Sequence, residues 1–343
     1  MTHVAKAAGV SVMTVSYAYS QPERLSPAAL ARVRETADRL GYPGPHPGAR
    51  SLRRGRADTI GVVLGEHLTY AFDDPQAARF LGGVADVCAS HDLGLMLLPI
   101  TGAPADVDRV AEAAVDGFVV WTTADDDPVV DAVVATGLPA VVHGGPERDG
   151  LPFVAVDELA AARAIATEAF ATARRPAVLS FPLDRSRMPG IRFGPPPEEA
   201  TFRVTRERLR GMRDAWRDLG GDWSEVQVIV CRTNSSTEAE GLAAEQLAGP
   251  GAPDAVAAMG DELALGVLRA AASLGREIPG DLTVTGWDDT PQAGPAGLTT
   301  IAQSLRDQGV HCARLVLGEA LERSYEPAWS LVRRASTQAA PDH

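Results

Sequence analysis

Residues 4–16 read VAKAAGVSVMTVS. Val4 to Ala8 make a short helical pattern closed by Gly9, because glycine accepts the left-handed turn that ends a helix. Ser11 follows as the N-cap of a second helix, 12 to about 19. Ala5 is small where two helices must approach, Gly9 makes the turn, and Val15 plugs the angle, which is the packing of a helix-turn-helix. Ser26-Pro27 supplies an N-cap and a first-turn proline for a third helix. Leu30, Val33, Ala37 and Leu40 share one face of it near 3.6-residue spacing. Any small helical bundle can show an Ala-Gly-Val spacing, so the spacing alone does not identify the unit.

The chain has 343 residues, 45% hydrophobic and 22% charged, enough for two or three compact units. No apolar run approaches the ~20 residues of a membrane span, and MTHVAKAAGV is too short and too lightly apolar for a signal peptide. A cytoplasmic protein with no membrane partner is expected. Cys88, Cys231 and Cys312 stand far apart without metal-ligand spacing and read as reduced thiols. The seven histidines form no H-x-x-x-H or H-E-x-x-H pair, so neither a metal nor another cofactor is expected. Net charge is −13, yet residues 1–57 carry nine basic side chains against Glu23, Glu35 and Asp38. A basic head on an acidic body suits phosphate contact by the head alone.

From Thr59 the pattern changes to short apolar runs alternating with amphipathic stretches. TIGVVL (59–64), GLMLLPI (94–100), GFVVW (117–121) and PAVVH (139–143) read as buried parallel strands, with helices at 76–90, 105–114 and 127–136 between them. A second series follows: 152–156, 176–181, 226–230, 255–259 and 282–287, with helices at 157–171, 200–219, 236–248, 261–274 and 304–322. The fold class is therefore α/β, two doubly wound parallel-sheet lobes after an all-α three-helix head.

The chain resembles the LacI/GalR family of repressors. VAKAAGVSVMTVS matches the family's helix-turn-helix signature, followed by LSPAALARVRETADRLGY and ARSLRRGRADTIGVVL. The resemblance is looser over the body and firmest in GDELALGVLRAA, IPGDLTVTGWDD and LTTIAQSL. It implies a helix-turn-helix domain over 1–44, a hinge over 45–57, and a periplasmic-binding-protein-like effector domain over 58–335, with a tail at 336–343. The N-lobe is expected at about 58–157 and 286–318, the C-lobe at about 158–285 and 319–335. The second helix would enter the major groove, with Val12, Met13, Ser16 and Tyr17 toward base edges. Ser11, Thr14, Ser20 and Ser26 would meet phosphates or simply cap helices. In the hinge, after the helix-breaking PGPHPG (43–48), Leu52 matches the leucine that wedges between base steps, with Arg50 beside it. Tyr17 departs from the arginine many members carry. The chain also begins almost inside the first helix, so a start upstream of Met1 is left open.

By the same resemblance an effector lies between the lobes, at the carboxyl ends of the strands. Arg208, in TRERLRGM, matches the family's cleft arginine, and Asp288, in GWDDT, a cleft aspartate suited to hydroxyl pairs. Trp121 and Phe72 occupy loop positions where an aromatic can stack on a sugar or base. Asn234, Asp261 and Gln303 complete the candidates. For each, a structural salt bridge or core packing is the competing role. Gly260 replaces the asparagine usual before Asp261. The proline-rich stretch 187–202 reads equally as a lid or as an ordinary surface loop.

The expected function is a sequence-specific DNA-binding regulator, a repressor in the first instance, acting as a homodimer with a tetramer left open. Operator DNA and a sugar or related metabolite are the expected partners. A solute-binding receptor without DNA function is the first alternative. An enzyme acting on a sugar or nucleotide is the second, but G-x-S-x-G, G-x-x-x-x-G-K-[ST] and a helix-opening G-x-G-x-x-G are all missing.

Overall fold

The computed structural model describes residues 1–44, 56–319 and 324–337. The hinge candidates Arg50 and Leu52 lie outside the described residues. The chain divides into two compact units, Met1–Asp58 and Thr59–His343.

The first unit contains α1 (Thr2–Ala8), α2 (Val12–Ser20) and α3 (Pro27–Arg39). Gly9 closes α1 at φ 62°, its N–H donating to the Ala5 carbonyl. Ser11 Oγ accepts from Thr14 N at 3.0 Å and Ser26 Oγ from Ala29 N at 3.3 Å, so both capping serines do as their positions require. Val4, Ala5, Ala8, Val15, Ala18, Val33 and Ala37 form the core. Leu40 does not join it: α3 ends at Arg39, and Leu40 is its 48% exposed C-cap. The apolar face of this helix therefore stops one turn earlier than its periodicity suggests.

The second unit is built on two sheets. The elements up to the first crossing are β1 (Thr59–Leu64), α4 (Pro75–Ser90), β2 (Gly94–Pro99), α5 (Ala105–Ala111), β3 (Gly117–Trp121), α6 (Pro128–Ala135), β4 (Ala140–His143) and β5 (Phe153–Val154). Then come α7 (Glu158–Phe170), β6 (Pro176–Ser180), β7 (Gly190–Phe193), α8 (Arg203–Asp218), β8 (Gln227–Val230), α9 (Ser236–Leu247), β9 (Ala255–Ala258), α10 (Asp261–Ser273), β10 (Thr283–Asp288) and β11 (Thr299–Ala302). The chain ends with α11 (Leu305–Val316), β12 (Ser324–Tyr325) and β13 (Ser330–Val332).

The first sheet runs β12–β5–β4–β3–β1–β2, and each of its pairings is parallel. Its central strands bury both faces, as a helix-covered parallel sheet requires: Val62, Val119 and Val141 pack into one core with α4 and α11, Val63, Val120 and Val142 into the other. The helices α4 and α11 touch backbone to backbone, because a side chain at Gly83 or Gly309 would run into the facing helix's carbonyl oxygens, at Arg306 and Phe80. The second sheet runs β13–β11–β10–β9–β6–β8–β7, parallel in its interior and antiparallel at both edges.

Sheet membership corrects the expected lobe boundaries. Residues 286–302 belong to the C-lobe, since β10 and β11 pair within the second sheet. Among the described residues after 302, α11 and β12 return to the N-lobe, and β13 crosses back. Nor is 336 the start of a tail: Ser336 and Thr337 are buried, and Ser336 Oγ donates to the Val284 carbonyl at 2.6 Å. The stretch 187–202 contains the edge strand β7. That strand has one neighbour and exposed Ile191 and Phe193, so it lacks the two-sided apolar run that marks an interior strand.

Candidate functional site

Between the two sheets lies a cavity of about 130 Å³. Part of its wall comes from the carboxyl ends of strands, where Trp121, His143 and Asp288 are each the last residue of a strand. Strand ends here also hold unusual backbone: Asp288 has φ 110°, Asp289 φ 48° and Thr122 φ 46°. Such conformations cost about 1–3 kcal/mol each and gather at ligand clamps.

Arg208, on α8, is buried against the cleft. Its Nε donates to Glu158 Oε2 at 2.7 Å and Nη2 to Glu158 Oε1 at 3.3 Å, while Nη1 meets the Met259 carbonyl. The guanidinium lies 3.8 Å over the Trp287 ring. Arg208 thus both lines the cleft and makes the buried ion pair that was its competing role. Asp288 is buried as well; desolvation pushes its carboxyl well above the usual range, and Arg208 offsets only part of that. Its Oδ1 accepts from Gln303 Nε2 at 2.8 Å. Trp121 stacks on Phe80 with centroids 4.9 Å apart and lines the cavity. Asn234 lines the opposite wall and donates Nδ2 to Asp74 Oδ2 at 2.7 Å.

Two candidates fall outside this wall. Phe72 is 73% exposed and does not line the cavity; it sits in a single helical turn, Tyr70–Asp73, whose inward residue is Ala71. Asp261 is fully buried away from the cavity, accepting from Thr290 N and Thr300 Oγ1, each at 2.7 Å. It ties the loop after β10 and strand β11 itself to the start of α10. Burial raises its pKa to about 6.

Sequence reasoning missed Glu66, Gln76, His143, Glu158, Arg187 and Gln308, which also line the cavity. A polar residue ending an apolar strand was the available signal for His143. Arg187 comes from the proline-rich stretch and reaches the first sheet's side, with Nη2 donating to the Gly65 carbonyl at 3.0 Å and 2.7 Å from Glu66 Oε1. Even so, burial lifts the Glu66 pKa to about 7.

In the head, the outward positions of α2 are apolar: Val12 is 44% and Met13 61% exposed. Ser11 and Thr14 hydroxyls lie 2.9 Å apart, and Ser20 Oγ donates to the Ser16 carbonyl at 2.9 Å. Arg24 places its guanidinium 5.5 Å from the Tyr17 ring centroid. A cation near the Tyr17 position is thus supplied from the adjoining turn. Among the described residues no helix is long and apolar enough to cross a membrane.

A helix-turn-helix head and a two-sheet body closed around a polar cleft define the helix-turn-helix regulators with a periplasmic-binding-protein-like body. Residues 1–44 match "Bacterial regulatory proteins, lacI family" and residues 188–337 the "Periplasmic binding protein-like domain". The HTH-type transcriptional regulator IpsA of Corynebacterium glutamicum is 39% identical over 326 residues, covering 92% of this chain and 90% of that one. The regulator CelR of Thermobifida fusca is 29% identical, covering 94% of this chain and 92% of its own. Among solved structures, a LacI-family transcriptional regulator from Corynebacterium glutamicum superposes with TM-score 0.75 at 32% identity, covering 98% of both chains. A CelR–cellobiose complex does so with TM-score 0.67 at 25% identity, covering 97% of this chain and 98% of that one. The chain belongs to the LacI family of DNA-binding transcriptional regulators.

Proposed function

We propose that this protein represses transcription as a homodimer on a two-half-site operator, and that a sugar or related metabolite in the cleft sets its operator affinity. The observation that carries this reading is that groups from both lobes converge on one cavity: Trp121 and His143 from strands of the first sheet, Asp288 from a strand of the second and Arg208 from helix α8 of the same lobe. An occupant that touches both sides stabilises one lobe arrangement over another, and that differential contact is what a ligand-driven shift requires. The CelR–cellobiose complex supports a sugar as the occupant. Val12, Met13, Ser16 and Tyr17 read base edges, and Ser11, Thr14, Ser20 and Ser26 approach phosphates, with Leu52 acting in the minor groove and Arg50 beside it on phosphate or in the groove. Arg208, Asp288, Gln303, Asn234 and Trp121 hold the effector.

The protein is not an enzyme in this reading, because the cleft's carboxyls are spent on Arg208, Arg187 and Gln303 rather than left facing one another as an acid–base pair. A regulator of this kind works in the cytoplasm, where the chromosome is. Footprinting the full chain on genomic fragments, with and without a sugar panel, tests the reading. Protection of defined sites that a sugar strengthens or weakens is the expected result; uniform protection without sequence preference would overturn it.

A further inference from the structure

Among the described residues, three cleft-lining side chains keep a buried polar atom without a hydrogen-bond partner: His143 Nδ1, Asn234 Oδ1 and Gln76 Nε2. Buried polar groups are nearly always paired, so three orphans around one cavity mark where ligand atoms belong. Two are acceptors once the state of His143 is fixed, and its neighbours fix it. His143 Nε2 lies 2.6 Å from Gln308 Oε1, Gln308 Nε2 donates to Gln303 Oε1 at 3.1 Å, and Gln303 Nε2 donates to Asp288 Oδ1 at 2.8 Å. In this chain of donors each amide is oriented by the next, and it ends on a carboxyl oxygen that accepts whether or not Oδ2 carries a proton. Gln308 therefore presents an oxygen to His143, Nε2 must carry the hydrogen, and Nδ1 is left as a bare acceptor.

Charge narrows the ligand further. The cleft's two lining arginines each pair with an acid, Arg208 with Glu158 and Arg187 with Glu66; once pH exceeds the Glu66 pKa of about 7, neither is a surplus cation for a phosphate or carboxylate. His143 does not supply one either, since burial holds its pKa down at about 4. A hydroxyl both donates and accepts, and neighbouring hydroxyls on one small molecule satisfy His143 Nδ1, Asn234 Oδ1 and Gln76 Nε2 together.

We propose that His143 is a specificity-determining residue of the cleft, locked as an acceptor by the Gln308–Gln303–Asp288 relay, and that it selects an uncharged polyhydroxylated ligand over its phosphorylated or carboxylated counterparts. This rests on the reading of the cleft as the effector site. The relay runs from β4 through α11 to the end of β10, so ligand contact at His143 also engages Asp288 on the second sheet.

The test is titration calorimetry on the full chain, buffered above the Glu66 pKa of about 7, with neutral monosaccharides, disaccharides and alditols set against sugar phosphates and aldonic acids. Two substitutions follow on whichever compound binds. H143Q places an amide N–H where Nε2 stands and keeps the bond to Gln308 but has no acceptor at the Nδ1 position. H143N places an amide oxygen near Nδ1 and gives up the Gln308 bond. Binding by a neutral compound, weakened at least about tenfold in H143Q and less in H143N, is the expected result. Equal binding by all three proteins, or H143Q binding better than H143N, overturns the inference and leaves the cleft reading standing. So does a ligand drawn from the anionic set. Silence from both sets overturns the inference and the cleft reading together. Nitrogen-15 spectra of the ligand-free chain check the tautomer independently: a hydrogen on Nδ1 of His143 would refute the relay.

Discussion

Asn234 donates its side-chain N–H to Oδ2 of Asp74 at 2.7 Å, joining the loop after β8 to the residue that caps α4. The other oxygen of Asp74 accepts from Gln76 N at 2.7 Å and Ala77 N at 2.9 Å. One carboxylate thus caps an N-lobe helix and is held from the C-lobe side. The two roles separate by mutation. Asp74→Ala removes cap and bridge and should cost about 1–2 kcal/mol in urea unfolding. Asn234→Ala removes only the bridge, so it should unfold nearly as wild type while small-angle scattering reports a more open body. Equal destabilisation by both substitutions would contradict this division.

The Arg208–Glu158 pair makes a larger demand. Both side chains are almost entirely buried, at 5% and 6% exposure. Arg208→Met leaves the Glu158 carboxylate without its partner in a dry site, a loss of about 3–5 kcal/mol. The double substitution Arg208→Met with Glu158→Leu removes both charges and should recover much of that loss. Chemical denaturation of wild type, the two single variants and the double variant measures the coupling. Additive losses would show that the pair is not coupled.

Glu66 gives a pH signature. Its folded-state pKa is about 7, against an ordinary 4.5, so the folded protein holds this proton more tightly than the unfolded chain. The contribution is full below pH 4.5 and is lost as pH rises toward 7. His143, with a lowered pKa of about 4, acts in the opposite sense, its contribution being lost as pH falls from about 6.5 toward 4. A whole-protein profile therefore mixes the two. The difference in unfolding free energy between wild type and Glu66→Gln isolates the first and should decline between pH 4.5 and 7. A flat difference would mean that Arg187 holds Glu66 ionised throughout.

How much of this was legible in sequence depends on how local the cause is. The caps at Ser11 and Ser26, the turn at Gly9 and the apolar strand runs are set by neighbours within a few residues, and each reads directly. Arg208, Asp288 and Gln303 were legible through motifs. His143, Glu158 and Gln308 were not, because their significance is a juxtaposition: His143 and Gln308 are 165 residues apart, and a polar residue ending an apolar strand does not by itself name its partner. Asp261 misled because an acidic residue opening a helix can face a ligand or a neighbouring loop, and only the placement of Thr290 and Thr300 decides. The lobe boundary misled for a similar reason: nothing local to 286–302 says which sheet the segment joins until β10 and β11 are seen to pair.

The exposed face of α2 yields the sharpest expectation for DNA. Val12 and Met13 project into solvent while Val15 and Ala18 are buried on the opposite side, so the outward positions add little to the head's stability. Met13→Ala should change the melting of the head by no more than about 0.5 kcal/mol. Its effect on recognition should be distinct, because apolar side chains read the thymine methyl and phosphate contacts do not distinguish bases. Selection from random DNA should show relaxed preference at one base pair per half-site for Met13→Ala, with the salt dependence of binding unchanged. Lys6→Ala is the contrasting substitution: Lys6 is an exposed cation in the last turn of α1, and losing a charge that meets phosphate should weaken binding to all sequences alike and lower the salt slope by about 1. If Met13→Ala instead behaves as Lys6→Ala does, this face of α2 does not read bases.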